Sequence, residues 1–224
     1  MKARLIAWLI NAWKVFQQSL PRIAWNSFLA FIPLVLSVWL FRQSKSRSWL
    51  WWLGVIVFIA FLPNAPYILT DIIHVINFAR QGHSVWMLTL VVIPQYTLFI
   101  FAGFEAYVIS LINVGYYLHR QGLSKYIIPA ELFLHALSSA GIYLGRFKRF
   151  NSWDFVAQPN ALAQSMIEDL VGKWPVLVML ITFGILTISY WLVKQVNLSI
   201  AFRWHHRNRL LQESSDYSEE YTAN

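Results

Sequence analysis

The sequence contains no cysteine and few charged residues. Without cysteine, the chain forms no disulfide, no thiolate metal site and no cysteine nucleophile. Charged residues make up 12% of the 224 residues, about half the share of roughly 25% that is usual in soluble domains. A water-soluble surface is difficult to build from so few charges, so the composition argues against an ordinary soluble domain.

The motifs of several common enzyme classes are also missing. The sequence has no glycine-rich phosphate loop, no dinucleotide fingerprint, no serine nucleophile elbow and no His-Glu-x-x-His zinc motif. It therefore points to no particular cofactor, and an enzyme is only one of several hypotheses.

Apolar and aromatic residues dominate instead. The chain is 58% hydrophobic and 17% aromatic, with 12 Trp and 10 Tyr, the residues that collect at water–lipid interfaces. The net charge is +8, but Lys and Arg stand in short clusters between apolar runs, as charges flank membrane spans. This differs from the basic stripe of a nucleic-acid-binding module. We therefore expect the lipid bilayer as a partner and no nucleic acid.

Five regions of the sequence are candidates for crossing a membrane, which requires about 20 mainly apolar residues. The predicted spans are 23–41, 49–61, 85–118, 129–147 and 175–193. The second is shorter than the others, and it either kinks or breaks at its end. The predicted fold class is all-α, a polytopic transmembrane helix bundle with five strong spans and short interfacial helices.

The predicted domain organisation has three parts. Residues 1–22 form an N-terminal amphipathic segment or a weak sixth span, residues 23–196 the transmembrane domain, and residues 197–224 a basic then acidic tail that is partly disordered. A further interfacial helix is predicted over 158–171. The 18 Lys and Arg residues divide equally between the two sides of the five-span bundle, so the positive-inside rule favours neither orientation.

Two closely spaced prolines interrupt the second span. The stretch Pro63-Asn64-Ala65-Pro66 leaves backbone carbonyls without helical partners, and Asn64 can satisfy some of them. Such breaks persist in lipid only when they are buried in protein or line a wet cavity, and transporters use them to build binding sites. The alternative is a structural kink. The candidate polar site in this stretch consists of Asn64, Tyr67, Thr70, Asp71 and His74.

Asp71 and His74 are three residues apart and therefore share a helix face. The pair can ligate a metal, relay a proton or form a simple ion pair. As a metal site the pattern is weak, because Asp-x-x-His lacks the specificity of established zinc motifs.

The stretch 135–155 carries the second group of candidates, Arg146, Asn151 and Asp154. In the simpler interpretation Arg146 marks the membrane boundary, and Asn151 or Ser152 caps the next helix, with Asp154 in its first turn. In the functional interpretation these residues face Asp71 and His74, because both stretches end on the N-terminal side of the bundle.

Three further ionisable residues, Glu105, Glu131 and His135, lie inside predicted spans. Such groups are costly in a membrane and are functional candidates by default. Glu131 and His135 share a helix face, and Glu131 also suits the first turn of a helix that begins at Pro129. Glu105 has no comparable structural explanation, because its neighbours are apolar.

Two of these stretches resemble the hallmark segments of a known family. LPNAPYILTDIIH (62–74) and SSAGIYLGRFKRFNSWD (138–154) are similar to segments of the domain of unknown function 1361 family, and WNSFLAFIPL near Trp25 is similar as well. The resemblance covers about 25–192. It implies a multi-span protein of the bacterial inner membrane and carries no activity, substrate or cofactor.

The sequence therefore supports three hypotheses about function. The protein is a membrane-embedded transport or binding component, for which its small size suggests a homo-oligomer, or an accessory subunit whose polar residues lock helix packing. The third hypothesis is a membrane enzyme, with or without a metal, that uses Asp71 and His74 with Arg146, Asn151 and Asp154.

Overall fold

The structure is a computed structural model that describes residues 1–150 and 157–222, and every regular element in these ranges is helical. The helices are α1 Lys2–Val38, α2 Trp49–Phe61, α3 Asn64–Tyr67, α4 Ile72–Arg80, α5 Val85–Met87, α6 Ile93–Arg120, α7 Ile127–Tyr143, α8 Pro159–Val171 and α9 Lys173–Thr222. Short π-helical turns extend α1 at Trp39–Gln43, precede α6 at Leu88–Val92 and extend α7 at Leu144–Lys148.

Five of the helical stretches are long and apolar enough to cross a membrane. They are Lys2–Gln43, Trp49–Arg80, Val85–Arg120, Ser124–Lys148 and Lys173–Trp204. The predicted all-α bundle with five spans is thereby confirmed, and the chain is a multi-pass membrane protein.

The first span differs from its prediction at its beginning. Residues 1–22 were predicted to form an amphipathic segment or a weak sixth span, but α1 begins at Lys2 and runs without interruption into the first predicted span, with Pro21 and Pro33 inside it. Tertiary contacts support its N-terminal half, since Gln95 donates a hydrogen bond of 3.2 Å to the Phe16 carbonyl. The N-terminal segment is therefore part of one long helix.

The last helix also differs from its prediction. It was expected to end near Val193, before a partly disordered tail, but α9 continues to Thr222. No Gly or Pro follows Gly184 to stop it. The chain divides into two compact units, residues 1–187 and 188–224, and the site described below lies within the first.

The break in the second span is a tightly wound segment buried in the bundle. The short helix α3 is followed by a 3₁₀ turn at Ile68–Asp71. Buried side chains recur at every third residue, at Leu62, Ala65, Ile68 and Asp71. This period matches the eclipsed side chains of a 3₁₀ helix. The register that buries three apolar residues thus also buries the Asp71 carboxylate.

Local hydrogen bonds and glycines accommodate this tight segment. Asn64 Nδ2 donates to the Phe61 carbonyl at 2.9 Å, while the Ala65 N–H, which would meet that carbonyl in a regular α-helix, donates to the Leu62 carbonyl instead. On the neighbouring helices, Gly103 of α6 faces Ile68 and Gly141 of α7 faces Pro63. A Cβ atom at Gly141 would lie 2.6 Å from Cβ of Pro63, so a larger residue there would push the broken segment away.

Candidate functional site

The buried carboxylate of Asp71 is the centre of the candidate site. Its Oδ2 accepts a hydrogen bond of 2.7 Å from Asn26 Nδ2 on α1. Its Oδ1 lies 3.6 Å from His74 Nε2 and 3.7 Å from Arg146 Nη1. With Arg22, which contacts His74, these residues form what we call the cavity cluster. The cluster connects α1, the broken second span and the end of α7.

Arg146 holds the end of α7 against the broken span. It lies in the π-helical turn Leu144–Lys148, and its Nη2 donates to the Thr70 carbonyl. Its Nη1 lies 3.4 Å from the Tyr67 hydroxyl, and its guanidinium carbon lies 5.6 Å from the centre of the Tyr67 ring. Arg146 therefore offsets the charge of Asp71 and satisfies a backbone carbonyl at the same time.

His74 lies between a carboxylate and a guanidinium. Its Nε2 faces Asp71, and its Nδ1 lies 3.3 Å from Nη1 of Arg22. A guanidinium has no acceptor, so Nδ1 accepts from Arg22 and Nε2 carries the hydrogen that points to Asp71. This arrangement holds a neutral imidazole with both nitrogens engaged.

A cavity of about 410 Å³ lies beside the cluster. The short helix α3 packs against α1 on one side and α7 on the other, and side chains from all three helices line the space. The lining residues are Arg22, Trp25, Asn26, Leu29, Ile59, Ala60, Pro63, Asn64, Tyr67, Asp71, His74, Leu137, Ala140, Gly141, Leu144, Gly145, Arg146, Phe150 and Leu162.

The cavity has a charged part and an apolar part. Arg22 and His74 contact each other in the cavity cluster, whereas Leu29, Ile59 and Leu137 supply apolar walls. Arg22 and Leu29 are seven residues apart on α1, which corresponds to about 10 Å along a helix. The walls therefore change from ionic to apolar over roughly the length of a small amphiphile.

Most of the residues predicted for the polar site are brought together here. Asn64, Tyr67, Asp71, His74 and Arg146 line the cavity, and Thr70 contributes its carbonyl to Arg146. The other two predicted residues, Asn151 and Asp154, lie outside the described residues.

Two residues of the cluster, Arg22 and Asn26, were missed by the sequence interpretation. Arg22 directly precedes the apolar run 23–41 and is therefore typical of a charge that flanks a membrane span. Asn26 offered a usable signal, since it is an amide within an apolar run. The local sequence does not indicate that α1 packs beside the broken span.

The candidates in the opposite half of the bundle lie apart from the cavity. His135 Nδ1 is 2.7 Å from the Tyr107 hydroxyl of α6, and both side chains are fully buried. Glu131 is buried one turn before His135. We call Tyr107, Glu131 and His135 the closed cluster. Glu105 is half-buried on α6 and does not line the cavity.

The described residues supply few metal ligands. Among the side chains that the structure describes, no three His, Asp or Glu residues come together in a way that could hold a metal ion. Asp71 and His74 provide two donors, whereas structural and catalytic zinc sites use three or four protein ligands. A metal at this pair stays a prediction.

Comparison with known proteins places the chain in a family. The family described as "Protein of unknown function (DUF1361)" matches residues 25–188, which include the broken span and the cavity cluster. The chain belongs to this family, and the predicted resemblance is confirmed. No curated protein and no solved structure matches the chain.

Proposed function

We propose that this family member is a membrane-embedded binding component that takes an amphiphilic molecule from the bilayer into the cavity between α1, α3 and α7. The observation that carries the proposal is the two-part lining, in which an ionic cluster and apolar walls share one space of about 410 Å³. This volume lies within the range of about 300–1,000 Å³ that is typical of small-molecule sites.

The position of the cavity supports a ligand that comes from the membrane. Arg22 immediately precedes the apolar run 23–41, which is the position of a residue at the headgroup level. Trp25, one turn further along α1, both lines the cavity and is exposed on the outside of the bundle. A lipid-like molecule at this depth would place its polar end near Arg22 and its apolar part toward Leu29.

An accessory role without a ligand is the main alternative. It is supported by the many structural contacts of Asp71 and Arg146, which tie three elements together. A purely structural network, however, gives no reason for a cavity beside it, since protein interiors are normally close-packed.

The enzyme hypothesis has less support from the geometry. A general base needs a free nitrogen aimed at its substrate, whereas both nitrogens of His74 are engaged, by Asp71 and by Arg22. An enzyme that uses Asp71 and His74 therefore requires Arg22 to move first.

The setting of the protein is part of the proposal. The family resemblance implies the bacterial inner membrane, and we propose this location. A homo-oligomer is also proposed, because five spans make a small transport unit. The bilayer is the expected partner.

The test of the proposed function is a pair of substitutions on α7. Ala140 lines the cavity, whereas Ala136, one turn away, is exposed on the outside of the helix. Ala140→Trp fills the cavity, and we expect it to reduce the lipid retained by the purified protein about tenfold, equivalent to about 1.4 kcal/mol of binding free energy. Native mass spectrometry measures the retained lipid.

The matched variant Ala136→Trp is expected to retain lipid like the wild type. Equal retention by all three proteins would contradict a ligand in the cavity and favour the accessory role. Circular dichroism before the measurement checks that each variant is folded.

A further inference from the structure

We infer that the charged part of the cavity binds an anionic group of the phosphate class, with Arg22 as its main contact and His74 beside it. The inference rests on the proposed function and specifies which end of an amphiphile the cluster recognises. A lipid headgroup and free phosphate share this chemistry, and the experiment below distinguishes them.

The charges that line the cavity do not cancel. Arg22 and Arg146 contribute two guanidiniums, and Asp71 is the one carboxylate among the described lining residues. His74 adds no negative charge in either protonation state. Among the residues that the structure describes, the cluster therefore carries a net positive charge, and an anion is the ligand that would balance it.

Asp71 is not free to balance Arg22. One of its oxygens accepts from Asn26 at 2.7 Å, and the other faces both His74 and Arg146. Its side chain is only 2% exposed, so it cannot rotate outward without losing these contacts. Arg146 is likewise fixed by the Thr70 carbonyl. The excess positive charge is thus located on Arg22.

Arg22 can donate to a stronger hydrogen-bond acceptor than His74 Nδ1. It is exposed, and its described hydrogen bond goes to the uncharged Nδ1 of His74 at 3.3 Å. A guanidinium has five donors in a planar fork that matches phosphate oxygens. Arg–phosphate hydrogen bonds are short, at about 2.7–2.9 Å, and often come in pairs, whereas the bond to Nδ1 is single and long, so a phosphate oxygen would displace Nδ1 from Arg22.

The wider surroundings favour an amphiphile with a phosphate end. Lys148, the next cation along from Arg146, is paired with Asp169 at 3.2 Å and does not line the cavity. Recognition therefore depends on Arg22 rather than on a general basic surface. Trp25 and Leu29 follow on the same side of α1 and line the apolar part, where the chain of the amphiphile would lie.

The experiment measures binding of dodecyl phosphate to the purified full-length protein by calorimetry, with dodecyl trimethylammonium and inorganic phosphate as comparison ligands. We expect the wild type to prefer dodecyl phosphate over the cationic compound. Arg22→Gln is expected to weaken dodecyl phosphate binding about tenfold or more. Arg22→Lys should recover part of the loss, because it restores the charge but not the fork.

Lys14→Gln is the matched control, since Lys14 is an exposed cation on the same helix outside the cavity. An equal loss in Lys14→Gln and Arg22→Gln would overturn the inference in favour of general surface charge. Equal binding of the anionic and cationic compounds would overturn it while leaving the proposed function intact. If neither alkyl compound binds, the proposed function fails as well.

Inorganic phosphate identifies the source of the anion. Competition by inorganic phosphate at concentrations similar to those of dodecyl phosphate would support a site for free phosphate. Competition only at much higher concentrations would support a lipid headgroup, whose chain contributes to binding through the apolar walls. A thermal unfolding curve for each variant checks that a loss of binding is not a loss of folding.

Discussion

The bundle contains two carboxylate–histidine pairs, and their surroundings differ. Asp71 and His74 lie beside a cavity, with Arg22 and Arg146 next to them. Glu131 and His135 are buried against α6, where Tyr107 supplies the partner of the imidazole. The two residues of each pair are three or four positions apart in the sequence, so the spacing alone does not distinguish the two pairs.

The surroundings of a buried polar pair decide whether it is a candidate site. In the closed cluster Tyr107 and His135 pair with each other and the three residues do not line the cavity described above, so stability explains them sufficiently. Among the described residues of the cavity cluster, the positive charges outnumber the negative ones, and Arg22, which carries the excess, lines the cavity. A functional assignment therefore depends on neighbours from distant parts of the chain.

The largest loss of folding stability is expected for Asp71→Ala. This change leaves Arg146 beside the Thr70 carbonyl without its buried counter-charge, and breaking a buried ion pair costs about 3–5 kcal/mol. The free energy of unfolding in mixed detergent measures the loss. Asp71→Asn keeps the shape of the side chain and should lose less. A stability loss below 1 kcal/mol in Asp71→Ala would show that the cluster does not hold the bundle together.

A smaller loss of stability is expected for Gly141→Ala, at a glycine that lines the cavity. The added methyl group would overlap Pro63 of the broken span, and overpacking of this kind costs about 1–3 kcal/mol. Gly184 is the matched control, because no heavy atom lies within 4 Å of a Cβ added there. Equal stability of Gly141→Ala and Gly184→Ala would contradict the close contact between α7 and the broken span.

Tyr107→Phe tests whether the closed cluster affects binding in the cavity. Removing this hydroxyl leaves His135 Nδ1 buried without its partner at 2.7 Å, which costs about 1–3 kcal/mol of stability. Binding of dodecyl phosphate should stay at the wild-type level. His74→Gln should show the opposite pattern, with weaker binding and a smaller stability loss, since the His74 side chain is 20% exposed. A binding defect in Tyr107→Phe would show that the closed cluster is coupled to the cavity.

The smallest loss of folding stability is expected for Lys148→Ala. Its ion pair with Asp169 joins the end of α7 to α8, but the Lys148 side chain is 38% exposed. Such exposed pairs contribute about 0–1 kcal/mol. Hydrogen exchange of the amides in α8 should become faster, whereas Lys173→Ala serves as a control with unchanged exchange. No change in α8 for Lys148→Ala would mean that other contacts hold this helix.

Much of the fold follows from the sequence, because membrane spans depend on local composition. The long apolar runs predict five spans, and the two prolines predict the interruption after Phe61. The continuity of α1 through Pro21 could not be predicted, because it depends on packing against the third span. The length of α9 was not predicted either, because the basic then acidic composition of 197–224 is typical of a partly disordered tail.

The candidate site was only half predictable. The local spacing of Asp71 and His74 shows that they share a helix face, and the topology shows that Arg146 ends on the same side. Arg22 and Asn26 come from α1, and nothing in their local sequence indicates which span they face. The cavity itself results from the packing of α1 and α7 around α3, which is a property of the tertiary structure alone.

The central claim is that an amphiphile occupies the cavity beside Asp71 and His74. The most direct measurement is photo-crosslinking with a dodecyl phosphate that carries a photoactivatable group at the end of its chain, followed by peptide mapping. We expect adducts on the apolar walls, at Leu29 of α1 and Leu137 of α7, and their loss in Ala140→Trp. Adducts spread over outward-facing residues such as Leu98 and Phe101, unchanged in Ala140→Trp, would contradict it.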